Sequence, residues 1–426
     1  MGSNMEDTTT VYRPTLKAIE AAAEKLKGIA SITPLIKNAR YSKHFEANIF
    51  LKREDLQEVR SYKIRGAYNK ISSLNESQIE NGIVCASAGN HAQGVAISCK
   101  LLKIKGTIFM PSPTPSQKIE QVKMFGEDYI DVVLLGDTFD DAYHAAKQQS
   151  EDMNKTFVHP FNDQKVIEGQ ATVGLEIIDQ AETHPIHYVF VPVGGGGLAA
   201  GLSSVFKLLS PQTKIISVEP KGAAAMLTSI RANKNTELKS IDNFVDGAAV
   251  KRVGDLNFAI CKETLHRVVS VDEGKICQTI LELYNKDAIV AEPAGVLSLC
   301  PLEQFKDEIK GKNVVCVISG SNNDITRTAE IKERALLYAN LKHYFIIKFP
   351  QRAGALRDFV VDILGPTDDI THFEYTKKAN RDNDVAVVGL ELKSPEDLQP
   401  LITKMKLHNF YGDYLNDKPD LFQFLV

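Results

Sequence analysis

Short apolar runs alternate with helix-patterned stretches through most of this chain, and that alternation restricts its fold more than any other feature. The runs fall at residues 47–51, 82–87, 106–110, 129–135, 187–193, 214–218 and 313–318. Strands separated by helices predict a mostly parallel sheet. Strands apolar at nearly every position predict that helices cover both of its faces.

Near residue 335 the pattern changes. A charged helix ends, and a strand at 343–349 is followed by a helix at 354–364, strands at 370–376 and 385–392, a helix at 395–407 and a last strand near Phe422. The order β-α-β-β-α-β is that of a ferredoxin-like α+β unit. The expected organisation is therefore an α/β domain over 1–338 and a second domain over 339–426.

Charge excludes several classes of partner. Lys and Arg number 50 against 54 Asp and Glu, for a net charge of -4, with neither sign gathered in a block. Clustered cations opposite phosphates are thus missing, and neither nucleic acid nor an anionic membrane is an expected partner. The uncharged run 188–206 is interrupted by Pro192 and four glycines, so it reads as strand, loop and helix start instead of a membrane span. No secretory signal is visible. Six scattered cysteines, 85, 99, 261, 277, 300 and 316, lack zinc-ligand or CxxC spacing. They read as reduced core thiols of a cytoplasmic protein, with no metal assigned.

Three segments carry candidate chemistry. In the first, Gly194, Gly195, Gly196, Gly197 and Leu198 join a strand to a helix. Bare N–H groups at the positive end of a helix dipole can hold a phosphate. The same residues also read as an ordinary turn, or as a relaxed dinucleotide fingerprint with Glu219 as ribose ligand. The second is Ser87, Ala88, Gly89, Asn90 and His91, again between strand and helix, where helix-start N–H groups favour a carboxylate. His91 taken alone is as well read as a capping histidine and Asn90 as a turn residue. The third is Lys63, two residues after Ser61, the expected helix cap, and downstream of Lys52-Arg53-Glu54-Asp55. A lone lysine is usually solvated surface. Beside a phosphate cradle and a carboxylate cradle, however, its amine completes the set that holds pyridoxal phosphate as a Schiff base.

Six blocks in order resemble the fold-type II pyridoxal-phosphate enzymes, and within them the biosynthetic threonine dehydratase (threonine ammonia-lyase) family. They are residues 51–55, 61–67, 85–94, 194–198, 291–295 and 318–323. The segment 349–356 resembles the effector-binding, ACT-like domain of those enzymes, present once. The resemblance implies a catalytic domain over 1–338, with a small subdomain at roughly 52–160 inserted in the large one, and a regulatory domain over 339–426. It implies that Lys63 carries the cofactor and acts as general base, Asn90 bonds the ring hydroxyl, and Gly194 to Gly197 with Leu198 hold the phosphate. Ser319 would face the ring nitrogen, and Ser87, Ala88, Gly89, Asn90 and His91 would grip the substrate carboxylate. Tyr62 stands where many relatives have Phe. Glu219 is retained near a cation site of some relatives, but an alanine replaces a further acidic ligand, and no metal is assigned. Glu292 reads equally as a structural turn or as a group tuning the site.

The implied reaction is deamination of L-threonine to 2-oxobutanoate and ammonia, the first committed step of isoleucine biosynthesis. The implied effector is isoleucine, and the implied assembly a homotetramer. Two other outcomes stay open on the residues: another activity of the same cofactor, such as serine dehydration or racemisation, and a dinucleotide-binding oxidoreductase. The latter gives Lys63 and the 87–94 loop no task.

Overall fold

The computed structural model describes residues 12–182, 184–376, 383–418 and 421–422 of the chain. It divides into two compact units, Met1–Ile325 and Thr326–Val426. The strands of the first are β1 (Leu35–Lys37), β2 (Asn48–Arg53), β3 (Ile83–Ala86), β4 (Gly106–Met110), β5 (Ile130–Leu134), β6 (Thr156–Phe157), β7 (Tyr188–Pro192), β8 (Lys214–Pro220), β9 (Arg267–Val271) and β10 (Asn313–Ile318).

One sheet of this unit has six strands in the order β1-β2-β10-β7-β8-β9, and only β1 runs antiparallel to its neighbour. The other is wholly parallel, ordered β5-β4-β3-β6, and its strands lie in the chain between β2 and β7. Every residue of β3, β4 and β7 is buried, as two-sided coverage by helices requires. Three strands lack the apolar signature on which the sequence reading relied. These are β1, β6 and β9, all at sheet edges and only partly buried. An edge strand packs less, so its sequence carries less pattern.

The second unit adds β11 (Lys342–Pro350), β12 (Asp369–Thr376), β13 (Asn383–Glu391) and β14 (Tyr411–Tyr414) in the antiparallel order β12-β13-β11-β14. Its first helix is an α-turn, Ala355–Asp358, that widens into a π-turn, Phe359–Ile363. Its second is Leu398–Leu407. Phe345, Ile347, Phe349, Phe359, Val388 and Met405 are among the buried residues that fill the space between sheet and helices. The element order is the expected one, but the closing strand is not near Phe422. It is Tyr411-Gly-Asp-Tyr414, whose Gly and Asp disguise it as a turn while its backbone pairs with Phe345–Ile347. Phe422 instead lies in a helical turn, its ring 5.1 Å from that of Tyr344, and residues 423–426 fall outside the described set. The charged helix Thr328–Tyr338 is anchored in this second unit by Glu333, which accepts bonds from Tyr344 and Lys342. Among the described residues no helix is long and apolar enough to cross a membrane.

Candidate active site

Lys63 is the first residue of the helix Lys63–Ile71. Ser61 does not cap that helix: its backbone pairs with Gly320, Tyr62 takes the position before the first turn, and no side chain caps it. The Tyr62 N–H donates to Ser319 O at 3.3 Å, which ties the helix start to the end of β10. Pairing with a neighbouring strand end thus replaces the local cap. Lys63 Nζ donates to Pro160 O at 2.9 Å. Burial pushes its ammonium down to about 8, against the opposing pull of the Glu292 charge.

Two residues further on, Arg65 is 1% exposed and holds two carboxylates, the buried Glu54 and the partly buried Glu176. It meets Glu54 at 2.8 Å through both Nε and Nη2, and Glu176 at 2.6 and 2.9 Å. Lys52 joins the same cluster at 2.6 Å from Glu176. The cluster holds two cations and two carboxylates, so it is balanced without water. It explains why charged residues close β2, an apolar strand, and it fixes the helix that presents Lys63. In the sequence Lys52, Glu54 and Arg65 fall in segments singled out without a role for them, and Glu176 falls in none. The available signal was Lys52 following the apolar Ile49-Phe-Leu51.

The helix Asn90–Leu102 crosses the same backbone. A Cβ on Gly94 would lie 3.0 Å from the Lys63 carbonyl, so only glycine lets the two helices approach. The Ser87–His91 segment leads into this helix, with Ser87 Oγ accepting the Gly89 N–H at 3.3 Å. No side chain caps the helix start, which leaves its first N–H groups to a ligand. The His91 imidazole is turned away from that role. Its Nε2–H donates to Val158 O at 2.9 Å, and burial, with the Lys63 charge, pushes it down to about 3. Ala88 and Gly89 are partly buried, and the space beside the Gly89 Cα is open.

Phe161 forms the floor of the glycine loop. A Cβ on Gly195 would stand 2.2 Å from its ring, and one on Gly197 3.3 Å from its Cα. A Cβ on Gly194 would meet Ala248 at 2.8 Å. Gly196 has φ +91°, a conformation side chains disfavour. Asn257 Nδ2 binds Gly195 O at 2.7 Å and Phe161 O at 3.1 Å. The loop is thereby held through the Gly195 carbonyl, while the helix Gly197–Leu209, containing Leu198, begins without a side-chain cap. Pro160 bonds the Lys63 amine and its neighbour Phe161 supports the loop, so one segment links amine and cradle.

Ser319, at the end of β10, is 4% exposed, and its Oγ donates to Ala294 O at 3.4 Å. Asn90 Nδ2 donates to Glu292 Oε1 at 2.6 Å, which leaves Asn90 Oδ1 buried with no hydrogen-bond partner among the described residues. Burial, with Asp246, pushes Glu292 up to about 7. An amine, a bare-amide phosphate cradle and an orphaned amide oxygen fit pyridoxal phosphate. Glu219 does not stand as a ribose ligand. Its carboxyl accepts the Met226 and Leu227 N–H groups at 2.7 and 2.8 Å, capping the helix Ala225–Arg231, and burial pushes it up to about 8. No cluster of three or more potential metal ligands occurs among the described residues. All six cysteines are buried free thiols.

Comparison with known proteins shows the family. Residues 27–320 match the family described as pyridoxal-phosphate dependent enzyme, and residues 333–425 match the C-terminal regulatory domain of threonine dehydratase. The chain is 53% identical to the L-threonine dehydratase biosynthetic IlvA of Halalkalibacterium halodurans, over 96% of this chain and 99% of that one. It is equally close to the protein of the same name from Bacillus subtilis, at 53% over 96% of this chain and 97% of that one. Among solved structures it resembles the processed form of threonine deaminase isoform 2 from Solanum lycopersicum. The TM-score is 0.72 at 38% identity, covering 76% of this chain and 90% of that one.

Proposed function

The chain belongs to the pyridoxal-phosphate dependent enzymes, as a member of their threonine dehydratase branch with its C-terminal regulatory domain, and on that premise we infer that it deaminates L-threonine to 2-oxobutanoate and ammonia. The observation carrying this reading is the convergence of Lys63, the Gly194–Gly197 loop, the Asn90–Glu292 pair and Ser319 on one another.

In this reading the N–H groups of Gly194 to Gly197 and Leu198 hold the cofactor phosphate, Asn90 meets the ring hydroxyl and Ser319 the ring nitrogen. Carried on Lys63, pyridoxal phosphate would supply an aldehyde carbon that takes the substrate amino group in exchange for the lysine amine, and a sink for the electron pair left at Cα. The Lys63 amine freed in that exchange, its proton affinity lowered by burial, would take the substrate α-proton at Nζ. Over the whole reaction the β-hydroxyl would leave as water and one water would be taken up, giving the keto acid and ammonia. The first-turn N–H groups after Gly89 orient the substrate carboxylate. A neutral hydroxyl at Ser319, where other enzymes place a carboxylate, favours prompt departure of the β-hydroxyl.

Residues 1–338 are proposed as the catalytic domain and 339–426 as the regulatory one, with isoleucine as effector and a cytoplasmic homotetramer as the working form. The second unit contains a cavity of about 430 Å³ lined by Phe349, Arg352, Leu356, Phe373, Tyr375 and Asp384. Aromatic walls and a buried carboxylate suit an apolar amino acid carrying an ammonium. The test is borohydride trapping of the cofactor-saturated protein with peptide mass mapping, beside keto-acid release from threonine and serine with and without isoleucine. An adduct on Lys63 and isoleucine-sensitive turnover of threonine are expected. An adduct elsewhere, or serine as the preferred substrate, would overturn the reading.

A further inference from the structure

Glu292 occupies a place that the deamination chemistry leaves without a task. It is 5% exposed, opens the short turn Pro293–Val296, and its N–H donates to Gly320 O at 3.2 Å. Its Oε1 lies 2.4 Å from where a Cβ on Gly320 would stand, so the backbone opposite is kept bare to admit the carboxyl. The contact it makes there is the one to Asn90 Nδ2 at 2.6 Å.

We infer that Glu292 is a positioning residue that decides which face of the Asn90 amide is offered to the cofactor, and that its ionisation turns that amide over. This rests on the cofactor site proposed above. A carboxylate only accepts hydrogen bonds, so beside it Asn90 must present Nδ2, leaving Oδ1, the buried orphan, for a donor on the ligand. A protonated carboxyl donates, and the amide then turns Oδ1 toward Glu292 and presents its N–H groups to the ligand instead. The first state selects a ring hydroxyl that keeps its proton; the second selects one that has lost it.

Several elements surround the carboxyl. Asp246 raises its proton affinity, while Asn90, Lys118 and Lys63 lower it, and Lys118 is itself bridged to Asp246 at 2.5 Å. The phenol of Tyr62, pushed up by burial and by Glu292, stays protonated throughout the neutral range. Burial outweighs the cations and pushes the carboxyl up to about 7, so the neutral range is where the test looks for its ionisation.

The test follows the visible absorbance of the bound cofactor between roughly pH 6 and 9 in substrate-free holoenzyme, together with cofactor affinity at both ends of that range. The wild type is expected to show a spectral step within about one unit of neutrality. Glu292→Gln should lose the step, and its cofactor affinity should keep only the pH dependence that the Lys63 amine itself imposes. Asn90→Ala should lose the step as well, and the double variant should match Asn90→Ala alone. A step that survives Glu292→Gln, or a wild-type band that does not titrate, overturns the inference while leaving the cofactor site intact. Failure of any band to form removes the site and this inference together. Should Glu292→Gln not fold by circular dichroism, Asn90→Ala decides, since it keeps the carboxyl and deletes only the amide.

Discussion

Arg65→Met tests whether the buried charge cluster is what supports the lysine helix. In the wild type two cations, Lys52 and Arg65, face two carboxylates, Glu54 and Glu176. The substitution leaves Lys52 alone against both, and Glu54, which is 0% exposed, loses both guanidinium bonds at 2.8 Å. Breaking a buried pair by removing one partner costs about 3–5 kcal/mol. That is roughly a hundredfold to several thousandfold in the folding equilibrium. The protein has no tryptophan, so urea unfolding should be followed by far-ultraviolet circular dichroism. The pH dependence gives a second check. In the wild type burial pushes Glu54 up, but the Arg65 charge and hydrogen bonds outweigh it and hold the carboxyl below its ordinary range. Its contribution is therefore present above the unfolded-state value and lost only as pH falls through the lower folded one. Without Arg65 the burial effect prevails, the folded variant takes up a proton, and its deficit shrinks as pH falls from about 8 to about 5. The charge-balanced double variant Glu54→Met/Arg65→Met leaves Lys52 with Glu176 and should recover most of the loss. A deficit below about 1 kcal/mol at pH 8, or one that does not vary with pH, would refute the argument.

Other outcomes follow from the same coordinates. Gly195→Ala drives a methyl group toward the Phe161 ring, 2.2 Å away, and overpacking of this kind costs about 1–3 kcal/mol. Cofactor affinity by fluorescence titration should fall roughly tenfold to a hundredfold, with partial recovery in Gly195→Ala/Phe161→Leu. Glu219, raised by burial to about 8, contributes stability that is present below the unfolded carboxylate value and lost as pH rises through 8. Glu219→Gln should thus gain on the wild type in urea midpoint between about pH 5 and 9, and parallel curves would disprove it. Asp384 is 2% exposed and accepts from Gln351 at 3.0 Å and Tyr375 at 2.6 Å. Losing a charge-assisted bond worth about 1.5–3 kcal/mol, Asp384→Asn should weaken isoleucine binding by roughly ten- to a hundredfold in calorimetry. Unchanged affinity would place the effector elsewhere.

Local pattern alone was enough for what repeats along the chain. Apolar runs identified the buried parallel strands, and the first five elements of the second unit, β-α-β-β-α, were legible because each carries its own periodicity. The strand-loop-helix setting of the Ser87–His91 and Gly194–Leu198 segments was legible for the same reason, as were six cysteines destined for the core. Edge strands β1, β6 and β9 escaped because little of their surface is buried, and β14 because backbone pairing, not side-chain pattern, makes Tyr411-Gly-Asp-Tyr414 a strand.

Only the folded arrangement decided which groups meet. Glu54 and Glu176 lie 122 positions apart in the chain yet share one guanidinium. Asn90 and Glu292 are separated by 202 positions and form a 2.6 Å bond. Ser61, read locally as a cap, pairs with Gly320, and Glu219, read as a ligand, caps a helix that begins six residues later in the chain. Hydrophobic periodicity is a local property and survives in the linear text. Hydrogen bonding and charge pairing in a dry interior depend on distances of a few ångströms, which exist only once the chain has closed on itself.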